Sequence, residues 1–177
     1  MVSTFIDTRT DMGLFATAFG LTLIAYLFVS FVPGGARSKF FNKDFLKQFE
    51  EEHRGATGQD SVPGGGYPDM GNGRYAAKLS YKEWFLFGCA QRAHYNFLEQ
   101  IPILLVFMAV SALQYPFVAG VLGLIALVGR IIVTFTYIQG PQHRWKGNVL
   151  LEPAYLGLVV LSFVSLFTRY SEVSAAN

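Results

Sequence analysis

Residues 91–113 read QRAHYNFLEQIPILLVFMAVSAL. The second half is apolar enough for the interior of a bilayer, yet Arg92, His94, Asn96 and Glu99 stand directly before it. On a helix, Arg92, Asn96 and Glu99 are spaced i, i+4, i+7 and share one narrow face. A charge turned toward lipid costs several kcal/mol on most estimates, so this face must meet protein, a neighbouring subunit or a water-filled cavity.

Composition sets the surroundings of that face. The chain has 177 residues, 52% of them hydrophobic, 16% aromatic and 15% charged, with a mean hydropathy of +0.35. A soluble domain of this size carries more charge and less apolar surface. The net charge of +2 is too small, and the basic residues too scattered, for nucleic acid to be a partner. One cysteine excludes a disulfide within the chain, and the sequence shows no metal-ligand cluster. The opening MVSTFIDTRTDMG has two aspartates and no evident cleavage site, so the first span is expected to be retained.

Four apolar runs can be marked, at about 12–32, 84–113, 117–139 and 148–168. Each supplies the roughly 20 residues that a helix needs to cross a hydrocarbon core of about 30 Å. The expected fold is an all-α membrane protein: a single four-helix transmembrane domain over 1–177, with a long loop at 33–83. Loop one holds eight Lys and Arg residues between Arg37 and Lys82, and the third loop adds Arg144 and Lys146. The second link has none, so loops one and three should face the cytosol and both termini the opposite side. At 1.5 Å per residue, Arg92 then falls at the cytosolic boundary, with Glu99 and Arg130 both about 9 Å below it. Arg130 and Tyr137, seven apart, share a face of the third span. An Arg–Glu pair at such a depth can also do no more than neutralise itself and fix helix register. His94 points away from the Arg92 face and reads as a boundary residue, and Cys89 as a small apolar packing residue.

FGCAQRAHYNFLEQIP (87–102) followed by VGRIIVTFTYIQGPQHRWKG (128–147) resembles the paired signature of the membrane-associated eicosanoid and glutathione metabolism (MAPEG) proteins. The likeness is nearest to the type 3 microsomal glutathione transferases. It covers spans two and three and the loop after them, and the number and order of all four spans agree. The resemblance implies a homotrimer that binds glutathione as co-substrate at the cytosolic end, between subunits. Arg92, Asn96 and Glu99 would hold the tripeptide's charged ends, Arg130 and Tyr137 would complete the cavity, and Arg144 would stabilise the thiolate. These residue types suit such a ligand, since arginine forks pair with carboxylates, Glu99 can receive an ammonium, and Asn96 can donate and accept. A lipophilic second substrate would arrive from the bilayer, either an electrophile to conjugate or a lipid hydroperoxide to reduce. The expected location is the endoplasmic reticulum or mitochondrial membrane.

The sequence departs from that pattern in places. Val133 stands where a tyrosine is usual, and Gln100 where an aromatic is often found. Pro141 lies between Tyr137 and Arg144, where a helix could bend and move Arg144. Loop one is longer than is usual in the family. Within it FNKDFLKQFEEEHR (41–54) sets Phe41, Phe45 and Phe49 at helical spacing, as an amphipathic helix that lies on the membrane, docks on a partner or packs over its own bundle. GATGQDSVPGGGYPDMGNG (55–73) should be irregular. Three functional readings result: a membrane glutathione transferase or peroxidase, a structural subunit of a larger membrane assembly such as a respiratory complex, and a lipid-presenting scaffold without chemistry. The retained polar residues favour the first, and the departures with the long loop favour the second.

Overall fold

A computed structural model describes residues 8–176. The chain is helical, with four helices long and apolar enough to cross a membrane. The first is α1 (Thr8–Ser30), which runs on through Phe31 into α2 (Val32–Phe40). Pro33 has no N–H for the ladder, yet Gly35 still bonds Phe31 at 3.1 Å, so the two helices pass almost without a break. Loop one contributes α3 (Lys43–Leu46) and α4 (Glu50–Thr57). The remaining spans are α5 (Tyr81–Ala112), α6 (Pro116–Gln139) and α7 (Trp145–Ala176). The start of α5 is fixed by a capping box, in which the Ser80 and Glu83 side chains reciprocally satisfy each other's backbone N–H.

The centre of the bundle is α6, which packs against α1, α5 and α7. Small residues make this possible. Gly120 lies against the backbone of Phe15, and Gly129 meets Gly147 and Leu151 of α7 so closely that a Cβ on either glycine would strike backbone of the other helix. In lipid, where apolar side chains gain little by leaving one another's company, such backbone approach is a main source of helix association. Ala18, Leu104, Met108, Ala126, Val133 and Leu158 fill the resulting core. The outside is greasy: Phe28, Phe31, Phe163 and Phe167 are 71%, 73%, 67% and 73% exposed, as suits a surface facing acyl chains.

The 41–54 stretch is not one amphipathic helix. It breaks into α3, a 3₁₀ turn at Lys47–Phe49 and α4. Phe41 turns onto the chain's own bundle, edge-on against Phe87 of α5 at 4.9 Å, and Phe49 packs edge-on against Tyr75 of the same loop at 4.8 Å. Of the placements open from the sequence, packing over its own bundle is the one observed. The glycine-rich stretch that follows has little regular structure but is anchored. Gly66, at φ 67°, lies where a Cβ would collide with the Phe41 ring, and Trp84 donates to the Gly71 carbonyl at 2.9 Å.

Candidate functional site

The polar residues of α5 form a chain along its exposed side. Arg92 Nη2 donates to Asn96 Oδ1 at 3.0 Å, and Arg92 Nη1 lies 3.6 Å from Glu99 Oε1. Arg92 and Glu99 are 53% and 59% exposed, so this ladder faces away from the subunit's own core.

Arg130 behaves differently. It is 3% exposed, its guanidinium lies over the Phe97 ring at 5.6 Å, and its Nη2 has no hydrogen-bond partner. The expected meeting of Arg130 with Glu99 is absent among the described residues: Glu99 bonds within α5, to Arg92. The reason is angular. Phe97 is on the inward face of α5, and Glu99, two residues on, is rotated by about 200° from it.

A cavity of about 570 Å³ opens beside Arg130. Asn96 and Gln100 of α5, Arg130 and Val133 of α6, Arg144 just before α7, and Asn148, Glu152 and Tyr155 in the first turns of α7 border it. The Tyr155 hydroxyl donates to the Gln100 carbonyl at 2.5 Å, tying α7 to α5 across the opening. Asn148 Nδ2 donates to Glu152 Oε1 at 2.8 Å. Of the residues expected at a site, Asn96, Arg130 and Arg144 thus come together here. Arg92 and Tyr137 instead border a smaller cleft of about 250 Å³, with Trp84, Cys89 and Pro141.

Two departures in the sequence now have physical accounts. Pro141 does not bend α6, because α6 ends at Gln139; Gly140 turns the chain at φ 152°, and Pro141 opens a short 3₁₀ turn. Arg144 follows in helical conformation at the head of α7, on the cavity wall. Val133 is 4% exposed and packs against Gly147 where α7 crosses α6, a close approach that a small branched side chain fits.

The fourth span contributed nothing to the sequence-derived site, although Asn148, Glu152 and Tyr155 all border the cavity. A signal was present: Arg144, Asn148, Glu152 and Tyr155 follow one another at intervals of four, four and three, the helical-face spacing that marked Arg92, Asn96 and Glu99.

The fold and cavity define an integral membrane bundle of four spans with a cationic pocket at the end where α6 gives way to α7. The chain belongs to the MAPEG family, which it matches over residues 15–167. An uncharacterized protein of Synechocystis sp. is 31% identical over 84 residues, 47% of this chain. That similarity spans 61% of the relative's own length.

Proposed function

We propose that this chain is a membrane glutathione transferase or peroxidase of the MAPEG family. The family includes glutathione-dependent transferases and peroxidases. The observation that carries the reading is Arg130: a buried guanidinium with an unpartnered Nη2 on the wall of a cavity large enough for a tripeptide. A buried, unpaired cation is costly, and an anion arriving in the cavity relieves that cost.

The donor set fits glutathione. Arg130 supplies a fork for a carboxylate, and Asn96 donates or accepts beside it. Arg92 and Glu99, on the outward face of α5, are available to the same ligand where a second copy in a homotrimer covers that face, and Tyr137 closes the cleft beside Arg92. Arg144, at the mouth, holds the sulfur as thiolate. A guanidinium that lowers the thiol pKa by about two units contributes about 2.7 kcal/mol. The thiol proton leaves to water. The sulfur's electron pair then forms a C–S bond with a lipophilic electrophile, whose leaving group departs. With a lipid hydroperoxide, two thiols are oxidised to a disulfide while the O–O bond is reduced to an alcohol and water. The membrane of the endoplasmic reticulum or mitochondrion is the setting in which such substrates dissolve.

The test is titration of the detergent-purified protein with glutathione, following heat of binding, thiolate absorbance and conjugation rate. Arg144→Ala should leave binding nearly intact and lower the thiolate signal and rate together by about a hundredfold. Wild-type protein that is folded and binds no glutathione would end this reading. A specific observation then favours the second reading, a structural subunit: loop one is folded against α5 over a buried cluster of Phe41, Phe49, Ala76 and Phe87, which makes it a platform on which a partner in a larger membrane assembly can rest.

A further inference from the structure

Loop one holds a second cavity, of about 390 Å³, between α4 and the stretch 68–75. It shares no residue with the cavity beside Arg130. Phe49, His53 and Ala56 supply one wall, following one another at intervals of four and three along one helical face, and Pro68, Met70 and Tyr75 supply the other. Both walls are largely apolar. His53 is the exception, because its Nε2 is shut off from solvent and has no hydrogen-bond partner among the described residues. The charged residues on the border are already engaged. Glu52 Oε1 and Arg74 Nη2 pair from one wall to the other at 2.5 Å, and the Asp69 carboxylate accepts from the N–H groups of Gly71, Gly73 and Ala76. An ion entering this cavity meets no unpaired carboxylate or guanidinium, so a neutral ligand is favoured over a charged one.

We infer that this cavity is a binding site for a neutral phenol of one or two rings, its ring against Phe49 and Tyr75 and its hydroxyl on His53 Nε2. A hydroxyl both donates and accepts, so it suits either tautomer of the imidazole. Water would satisfy the nitrogen but leave two aromatic side chains wet, whereas a ring carrying one hydroxyl answers both. The volume lies within the range of small-molecule cavities, which begins at about 300 Å³. This site does not depend on the glutathione reading, since it is built entirely from loop one.

The experiment uses the methionines as reporters, because Met70 borders the cavity while Met12 and Met108 belong to membrane spans. Full-length protein in phosphatidylcholine nanodiscs, isotope-labelled at its methionine methyl groups, is titrated by NMR with naphthol, with naphthalene, which lacks the hydroxyl, and with naphthoate, which adds a charge. Naphthol should shift the Met70 signal saturably, whereas any change at Met12 and Met108 should grow linearly with the amount dissolved in the bilayer. Naphthalene should bind about threefold to tenfold more weakly than naphthol, the scale of one hydrogen bond, and naphthoate should also bind more weakly. His53→Phe, which keeps a flat ring and loses the nitrogen, should bind naphthol and naphthalene alike. Ala56→Trp, which fills the cavity, should abolish the saturable Met70 shift and covers the case in which His53→Phe fails to fold. A Met70 shift that grows linearly like those of the spans would mean that naphthol only dissolves in the bilayer, and it overturns the site. Equal binding of naphthol and naphthalene by wild type, a preference that survives in His53→Phe, or tighter binding of naphthoate than of naphthol overturns the phenol assignment. None of these failures touches the glutathione reading, which is tested in the bundle.

Discussion

Two arginines, Arg37 and Arg130, are each 3% exposed, and their surroundings are opposite. Arg37, on α2, donates to the carbonyls of Gly65 at 3.1 Å and Asp69 at 2.6 Å and to Met70 Sδ at 3.1 Å, and its guanidinium lies 4.0 Å from the centre of the Tyr67 ring. Nearly every direction is taken. Arg130 has an aromatic ring on one face, an unpartnered Nη2 and a cavity beside it. The first arginine gathers a glycine-rich loop that has no core of its own. The second holds a charge in reserve within the membrane. Burial alone does not tell the two apart; hydrogen-bond satisfaction does, because a buried donor without a partner is sustained only where something else benefits from it.

The sharpest way to break this comparison is to make both arginines methionine. Arg37→Met should remove about 3–5 kcal/mol, because two carbonyls and a buried platform lose the cation that organises them. Limited proteolysis within 55–73 should become rapid, and thermal stability in detergent should fall. Equal stability of this variant and wild type would mean the loop is held by its aromatic residues alone. Arg130→Met should do the reverse, leaving ligand-free stability unchanged or raised, since an unpaired charge is replaced by an apolar side chain of similar length. Glutathione affinity should drop by roughly 1.5–3 kcal/mol. A large loss of ligand-free stability from Arg130→Met would show that its charge is already satisfied in the resting protein.

The two regions were also unequally legible in the sequence. The four spans were readable because hydropathy over about 20 residues is a local property, and Arg92, Asn96 and Glu99 stood out because charges are conspicuous against an apolar background. Glu99 and Arg130 sit at nearly one depth, as Arg130 stacking on Phe97 indicates, but depth says nothing about azimuth. Whether two residues on different helices meet depends on helix rotation, and here the rotation of α5 presents Phe97, not Glu99, to Arg130. The platform was the least legible part. Its order depends on Arg37 meeting Asp69 and Met70 across 32 and 33 residues of chain, and no periodicity encodes such pairings.

A smaller effect, gated by pH, separates the regions again. Burial works against ionisation of Asp69, but its carboxylate accepts from the N–H groups of Gly71 at 2.8 Å, Gly73 at 2.9 Å and Ala76 at 2.8 Å, and the net result is a pKa below the ordinary 3.8. A group whose folded pKa is depressed adds stability at pH above its unfolded value, and that stability drains away as pH falls toward the folded value. The platform should therefore be indifferent to pH through the neutral range and loosen only below about 4. Hydrogen exchange at the Gly71, Gly73 and Ala76 amides should accelerate there relative to amides of α6, after correction for the intrinsic rate. Asp69→Asn should exchange quickly at every pH and lose the acid dependence. Protection that falls equally in α6 and the platform would show that the two regions open as one unit.

The smallest expected effect belongs to the ladder on the outward face of α5. Arg92 and Glu99 are more than half exposed and 3.6 Å apart, a geometry that in water is worth about 0–1 kcal/mol. In a free subunit a double-mutant cycle of Arg92→Gln and Glu99→Gln should therefore return a coupling below about 1 kcal/mol for thermal stability. The same cycle becomes informative in the assembled protein. If a second copy covers this face, water is excluded, and removing one partner strands the other charge, so that each single variant should lose more than the double. The measurement is the cycle performed at protein concentrations above and below the dissociation of the oligomer, read by thermal unfolding. A coupling that stays below about 1 kcal/mol at both concentrations would leave the ladder facing water, and Arg92 and Glu99 would drop out of any site shared between subunits. A coupling that grows with assembly would place them in it, next to a cavity whose inward charge, Arg130, needs no second subunit to be buried.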